Sequence, residues 1–136
     1  MILADIYRFL SSDAALGTIL ASTEHDSRIY PNFAKEGART PFIVYRSLNP
    51  GGSRDEVLCE ENVSFEVTAE SYSSATAAVE RLFTLLDMVS EGAVPSLRSR
   101  IFYAKLIGGA DFVDDMGRHI RAANYVFKFK KTGGNG

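Results

Sequence analysis

The length, composition and charge of the chain are those of a folded, single-domain protein. Its 136 residues are 46% hydrophobic and 24% charged, which argues against an intrinsically disordered chain. The net charge of -2 gives no bulk attraction to nucleic acid or to an anionic membrane. No apolar run approaches the roughly 20 residues of a membrane span, and the start lacks the basic and apolar regions of a signal peptide. The single cysteine, Cys59, excludes an intramolecular disulfide. We expect one domain over 1–131 and a flexible tail over 132–136.

Two helices are predicted at the N-terminus. Apolar residues recur at helical spacing from Met1 to about Leu10, which predicts an amphipathic helix. Ser11, Ser12 and Asp13 interrupt this pattern and can cap a second, short helix over 14–20. After a polar loop comes Ile29-Tyr30-Pro31, where the residue before the proline is expected to be extended.

The middle of the chain predicts two strands and a longer helix. Pro41–Leu48 is β-branched and aromatic, as is typical of a strand. Ser53–Glu61 is polar and is interpreted as a long loop or an extended hairpin arm. Asn62–Ala69 alternates apolar and polar residues, which predicts a strand with one buried and one wet face. A helix follows from Ser71–Ser74, which can cap it, to Gly92, which ends it.

Two further strands are predicted near the C-terminus. Ser96–Leu106 carries apolar residues on both faces, which indicates a strand that is covered twice or that meets another subunit. Gly108 and Gly109 are expected to break it, and Asp111–Gly117 is expected to be a turn-rich acidic link. Arg118–Lys130 alternates again and is the last predicted strand.

The order of these elements predicts an α+β fold. Helices and strands do not alternate in strict βαβ order, so we expect an antiparallel sheet of about four strands. Two main helices pack on one face of it, and the long loop or hairpin arm is added to this core. The alternation of polar residues over 62–69 supports an antiparallel arrangement, because parallel strands buried on both faces are continuously apolar.

Residues for catalysis or metal binding do not form a recognisable pattern. His25 and His119 have no partner at metal-ligand spacing, and a zinc site needs three or four ligands. Cys59 has acidic neighbours, which oppose thiolate formation. The aspartates over 111–115 do not match a calcium loop. We therefore expect neither an enzyme nor a cofactor, and a solvated or structural role is favoured for each of these residues.

Two features favour binding or assembly instead. The segments Ala21–Thr40 and Asn49–Glu61 are longer than the loops that small domains usually carry without function. The strand edges must also be paired or protected. A ring of identical subunits solves the edge problem, and heterologous contacts generate rings.

An ordered set of motifs resembles a known family. Arg28-Ile29-Tyr30-Pro31 is followed by Thr40-Pro41-Phe42-Ile43-Val44-Tyr45, and then by the strand Val63–Glu70, which passes through Ser71-Tyr72 into the helix 75–86. A short N-terminal helix precedes this set, and an alternating strand closes it. The sequence is similar in this respect to the small tail-completion and tail-terminator proteins of long-tailed bacteriophages and prophages. The similarity covers nearly the whole chain except 92–109.

The resemblance implies a structural role that needs no catalytic residues. Such proteins form a ring, expected to be a hexamer, that caps the head-proximal end of the tail tube and offers a docking surface to the neck proteins of the head. The expected partners are therefore further copies, the tail tube protein and a head-neck or connector protein, with DNA passing through the lumen and no membrane. The expected location is the tail-neck junction of the virion, reached from the bacterial cytoplasm during assembly.

The same resemblance points to contact residues. The arm at Ser53–Glu61 and the loop at Ala21–Thr40 are the expected contact elements, and acidic side chains of the arm either line a lumen or pair with basic side chains of a neighbouring subunit. The candidates are Arg54, Asp55, Glu56, Glu60, Glu61, Arg118, Arg121 and Lys128.

Three alternatives stay open. A head-side neck or connector protein is also a ring former and differs in its partner. A small-ligand or enzyme domain of ferredoxin-like type would show a deep pocket with convergent polar or titratable groups. A nucleic-acid-binding protein would show salt-dependent DNA retention, which we do not expect at physiological salt.

Overall fold

A computed structural model describes residues 2–23, 27–49, 53–54, 58–90 and 101–130. These residues form three helices and six strands in an α+β arrangement. In chain order they are α1 (Ile2–Ser11), α2 (Ala14–Leu20), β1 (Ile29–Pro31), β2 (Phe42–Ser47), β3 (Ser53–Arg54), β4 (Leu58–Ala69), α3 (Tyr72–Ser90), β5 (Ile101–Val113) and β6 (His119–Lys130).

The strands form a single sheet in the order β1-β2-β4-β6-β5, with β3 paired to β4 beside this path. All pairs are antiparallel except β1 and β2, which are parallel. The α+β class and the mostly antiparallel sheet are confirmed, and the sheet has more than the predicted four strands. Ser53 and Arg54 pair with Glu60 and Cys59, so the described ends of the predicted arm form a hairpin.

The core lies between the helices and one face of the sheet. The inward residues of β4 are fully buried at Val63, Phe65 and Val67, as the alternation predicts. They join one cluster with the apolar stripes of all three helices, whose buried members are Ile6, Phe9, Leu10, Leu16, Leu20, Ala75, Ala78, Val79, Leu82, Leu85 and Leu86. The three predicted helices and the packing of their apolar faces are thereby confirmed.

The side chains on the outer face of β4 are more buried than the sequence predicts. Ser64 and Thr68 are buried, although the alternation predicts them on a wet face. The reason is that β4 is flanked by β2 on one side and β6 on the other, so neighbouring side chains such as Phe42 cover it. Phe42 lies directly opposite Thr68 and is itself covered by the ring of Tyr30 at 5.9 Å between centroids.

The predicted break at Gly108 and Gly109 is wrong. Strand β5 runs through both glycines to Val113, and only residues 114–117 form the turn to β6. Gly109 is needed there for close approach, since a Cβ at this position would lie 2.4 Å from the carbonyl oxygen of Ala122. An irregularity between Leu106 and Gly108 leaves Ile107 outside the regular pairing.

Candidate interaction surfaces

Arg118, one of the predicted contact residues, is used within the chain. Its Nε donates to Asp114 Oδ2 at 2.8 Å and its backbone N–H donates to Oδ1 at 2.9 Å. These bonds fix the turn between β5 and β6, where Gly117 has a φ of +78°. The hydrogen bonds from Arg118 lower the pKa of the Asp114 carboxyl below its usual value. The guanidinium also lies 5.9 Å from the ring centroid of Phe42.

Arg121 likewise ties β6 to its surroundings. Its Nε donates to Asp111 Oδ1 on β5 at 2.9 Å, and its Nη1 donates to Thr76 Oγ1 on α3 at 3.2 Å. The guanidinium lies 5.3 Å from the ring centroid of Tyr72. The hydrogen bond to Asp111 raises the pKa of Arg121. Arg121 therefore links the start of α3 to the β5–β6 hairpin.

The arm residues are placed differently from one another. Glu60 lies directly opposite Lys128 across β4 and β6, and both are half-buried. Arg54 is described by its backbone pairing with Cys59 alone. Asp55 and Glu56 lie outside the described residues. The intersubunit role proposed for this set stays a prediction.

Glu61 lies in the core rather than on the surface of the chain. It follows the inward side of β4 and is opposite Phe127 on β6, with no exposed surface. Within the described part of the chain, neither carboxylate oxygen has a hydrogen-bond partner. An unpaired buried carboxylate is costly, so we expect Glu61 to lower the stability of the isolated chain.

The outer edge of the sheet at β5 is exposed and apolar. Leu106 is 46% exposed, Ile107 52%, Phe112 48% and Val113 57%. We name Leu106 and Ile107 the β5 patch. No described strand pairs with the outer side of β5, and an exposed strand edge with apolar side chains is a site for association with another chain. Of these four residues only Leu106 lies within the predicted strand 96–106, and the residues 96–100 of that prediction lie outside the described part of the chain.

The opposite edge carries a second, different apolar site. Phe33 follows β1 and is 77% exposed, and Leu48 follows β2 and is 53% exposed. Because β1 and β2 are parallel, these two residues lie at the same end of the sheet. We name them the corner patch. The sequence analysis singled out neither residue: Leu48 is the last residue of the predicted strand 41–48, and Phe33 lies in the predicted loop 21–40.

The described clefts offer little for small-molecule chemistry. Two have volumes of about 250 Å³. One is lined by Tyr7, Ser27 and other uncharged residues, and the other contains Asp111 and Arg121, which pair with each other. Among the residues that the structure describes, no group of three His, Cys, Asp or Glu could hold a metal ion. No described helix is long and apolar enough to span a membrane.

Comparison with known proteins adds a structural likeness. No protein-family model matches the chain, and no curated protein matches its sequence. Among solved structures, a chain of the "Virion of native gene transfer agent (GTA) particle" superposes with a TM-score of 0.71 at 14% sequence identity. The match covers 94% of this chain and 93% of that chain. The two chains therefore share their fold along nearly their whole length.

Proposed function

We propose that the chain is a structural, non-enzymatic protein of a phage particle and that it works by assembling with other particle proteins. The observation that carries this proposal is the fold shared with a virion chain over 94% of the sequence. An apolar edge at β5, with which no described strand pairs, supports it, because such an edge favours association with another chain.

The more specific proposal follows the family resemblance of the sequence. The chain forms a ring, a hexamer in this proposal, that caps the head-proximal end of the tail tube, ends its polymerisation and presents the head-tail joining surface. The β5 patch and the corner patch support a ring, since they are unlike each other and lie on opposite edges of the sheet. Contacts between unlike surfaces are heterologous, and heterologous contacts form a ring when the rotation between neighbours closes and an open filament when it does not.

The first test is the solution mass of the purified chain, measured by light scattering over a wide concentration range, with electron micrographs of the same samples. A closed ring of about six copies is the expected result. If the chain stays monomeric, purified tail tubes are added, and binding at one end of the tubes is then expected. A chain that neither forms rings nor binds tube ends contradicts the tail-terminator proposal.

Deleting the gene in the phage or prophage that carries it separates the tail-side role from the head-side role. Loss of a tube cap leaves polymerisation unchecked, so over-long tails that lack heads are expected. Tails of normal length beside heads without tails would instead favour a neck or connector protein. Complementation with the intact gene restores joined particles in either case and serves as the control.

A further inference from the structure

The pairing register places the two apolar patches at the same height of the sheet. Ser47 lies opposite Val63, Val63 opposite Tyr125, and Tyr125 opposite Leu106. These four residues form one row across the sheet. Leu48 follows Ser47 directly, so the corner patch lies at one end of the row and the β5 patch lies at the other.

The edge at β1 limits how a neighbouring chain can attach. The Ile43 N–H donates to the carbonyl oxygen of Arg28, and the Asn32 N–H donates to the carbonyl oxygen of Tyr45. The residues that bond to β2 therefore alternate along β1 and its two flanking residues. Pro31 therefore lies at an outward position, where it has no N–H to offer, and β1 has only three residues. The β5 strand of a neighbouring copy therefore cannot form a long hydrogen-bonded ladder with β1, and a contact between the two edges must be made by side chains.

The β5 edge carries exposed apolar side chains for such a contact, and the exposed Lys105 directly before Leu106 can keep its ammonium in water at the rim. Along the whole edge from Leu106 to Val113 the exposed apolar side chains present on the order of 400 Å², about half of the roughly 800 Å² that each partner buries in a standard interface, so further surface must join Leu106 and Ile107 in the contact. The nearby carboxylates Asp111 and Asp114 already pair with Arg121 and Arg118 of the same chain. The edge can therefore be covered without leaving an unpaired carboxylate at the hairpin end.

We infer that the β5 patch of one copy packs against the corner patch of the next copy, so that Leu106 and Ile107 contact Phe33 and Leu48 head to tail. This inference rests on the proposed function, because it names the surfaces through which the ring closes. A contact between two β5 edges would be isologous and would stop at a dimer.

Cysteine cross-linking tests the pairing directly. In a Cys59→Ser background, Leu106→Cys and Leu48→Cys are produced separately, one of them with a size tag, and then mixed and oxidised. A disulfide requires Cα atoms within about 7 Å, so only residues that meet will link. We expect a mixed Leu106–Leu48 product, and no product from either variant alone. Glu80→Cys, at an exposed position on α3, is the matched control for random collision.

The outcomes separate this inference from the proposed function. Rings in micrographs without the mixed product overturn the inference and leave the ring proposal standing. A homodimer of Leu106→Cys alone overturns the head-to-tail pairing. A chain that forms no oligomer and no mixed product, with or without tail tubes, overturns both.

Charge substitutions give a second readout that needs no cross-link. Leu106→Asp and Phe33→Asp are each expected to weaken self-association by at least about tenfold, because a carboxylate is then buried in an apolar contact. Thr84→Asp on the exposed side of α3 is the control and should assemble normally. Circular dichroism confirms that each variant is folded. Normal assembly of both patch variants would contradict the inference.

Discussion

Arg81 on α3 forms a hydrogen-bonded ion pair with Asp13 at the start of α2, although the two residues are 68 positions apart in the sequence. Its Nε and Nη2 donate to the two carboxylate oxygens at 2.9 and 2.7 Å. The same carboxylate accepts the backbone N–H of Leu16 at 2.8 Å and so caps α2. The Asp13 side chain thus caps the seven-residue helix α2 and also links it to α3, which has 19 residues.

Two substitutions of Asp13 separate its capping role from its ion pair. Asp13→Asn keeps an oxygen for the cap and loses the charge, so we expect a loss of about 1 kcal/mol in the free energy of unfolding. Asp13→Ala loses both, and about 2–3 kcal/mol is expected. Urea denaturation measures both losses, with Asp115→Asn, at an exposed turn position, as the control. Equal stability of wild type and Asp13→Asn would show that the ion pair contributes nothing.

The same ion pair makes stability depend on pH. The hydrogen bond from Arg81 lowers the pKa of Asp13 in the folded chain below its ordinary value of 3.8. This stabilisation is therefore complete above the unfolded pKa and is lost as the pH falls through the lower folded pKa. Denaturation curves between about pH 5 and pH 2 should show the gap between wild type and Asp13→Asn closing at low pH. A constant gap would mean that the effect of Asp13 is independent of its charge.

Replacement of Glu61 is expected to stabilise the isolated chain. Its carboxylate has no exposed surface and, among the described residues, no hydrogen-bond partner. Glu61→Leu removes the unpaired polar group at similar volume, so the free energy of unfolding should rise by about 1–3 kcal/mol. Chemical denaturation at neutral pH measures the change.

The neighbouring residue supplies the control for that experiment. Glu60→Leu alters the same strand on its opposite face, where Glu60 is half-buried across from Lys128. Little stabilisation, or a small loss, is expected there. If Glu61→Leu destabilises the chain instead, the expected cost of the unpaired carboxylate is contradicted, and comparison of the free and assembled protein would show whether another copy supplies a partner for it.

The parts of the fold that follow from local pattern could be predicted. The apolar spacing of α1 and α3 and the alternation over 62–69 each fixed an element and its buried face. The strand break predicted at Gly108 and Gly109 is wrong. Glycine weakens isolated strands, whereas at Gly109 the neighbouring strand approaches too closely for a side chain. The parallel pairing of β1 with β2 depends on distant contacts that no local pattern contains.

The charged surface was harder to predict than the fold. Arg118 and Arg121 were expected to meet another subunit, and the chain itself supplies their carboxylates through Asp114 and Asp111. Asp114 precedes Arg118 by four positions, and Asp111 precedes Arg121 by ten. Only the turn between β5 and β6 brings each pair together. The intersubunit contacts predicted for Arg118, for Arg121 and for the strand 96–106 stay predictions.

Gly109 and Gly108 provide a matched pair for testing the packing of β5 on β6. In Gly109→Ala the new Cβ would lie 2.4 Å from the backbone oxygen of Ala122, so the two strands must separate locally. We expect a loss of about 1–3 kcal/mol in the free energy of unfolding. In Gly108→Ala the new Cβ meets nothing within 4 Å, and the reduced freedom of the unfolded chain should leave stability unchanged or raise it by up to about 1 kcal/mol. Thermal and urea denaturation of the two variants side by side measure the difference. Equal effects of the two substitutions would mean that β5 and β6 do not approach each other as closely at Gly109 as the structure has them.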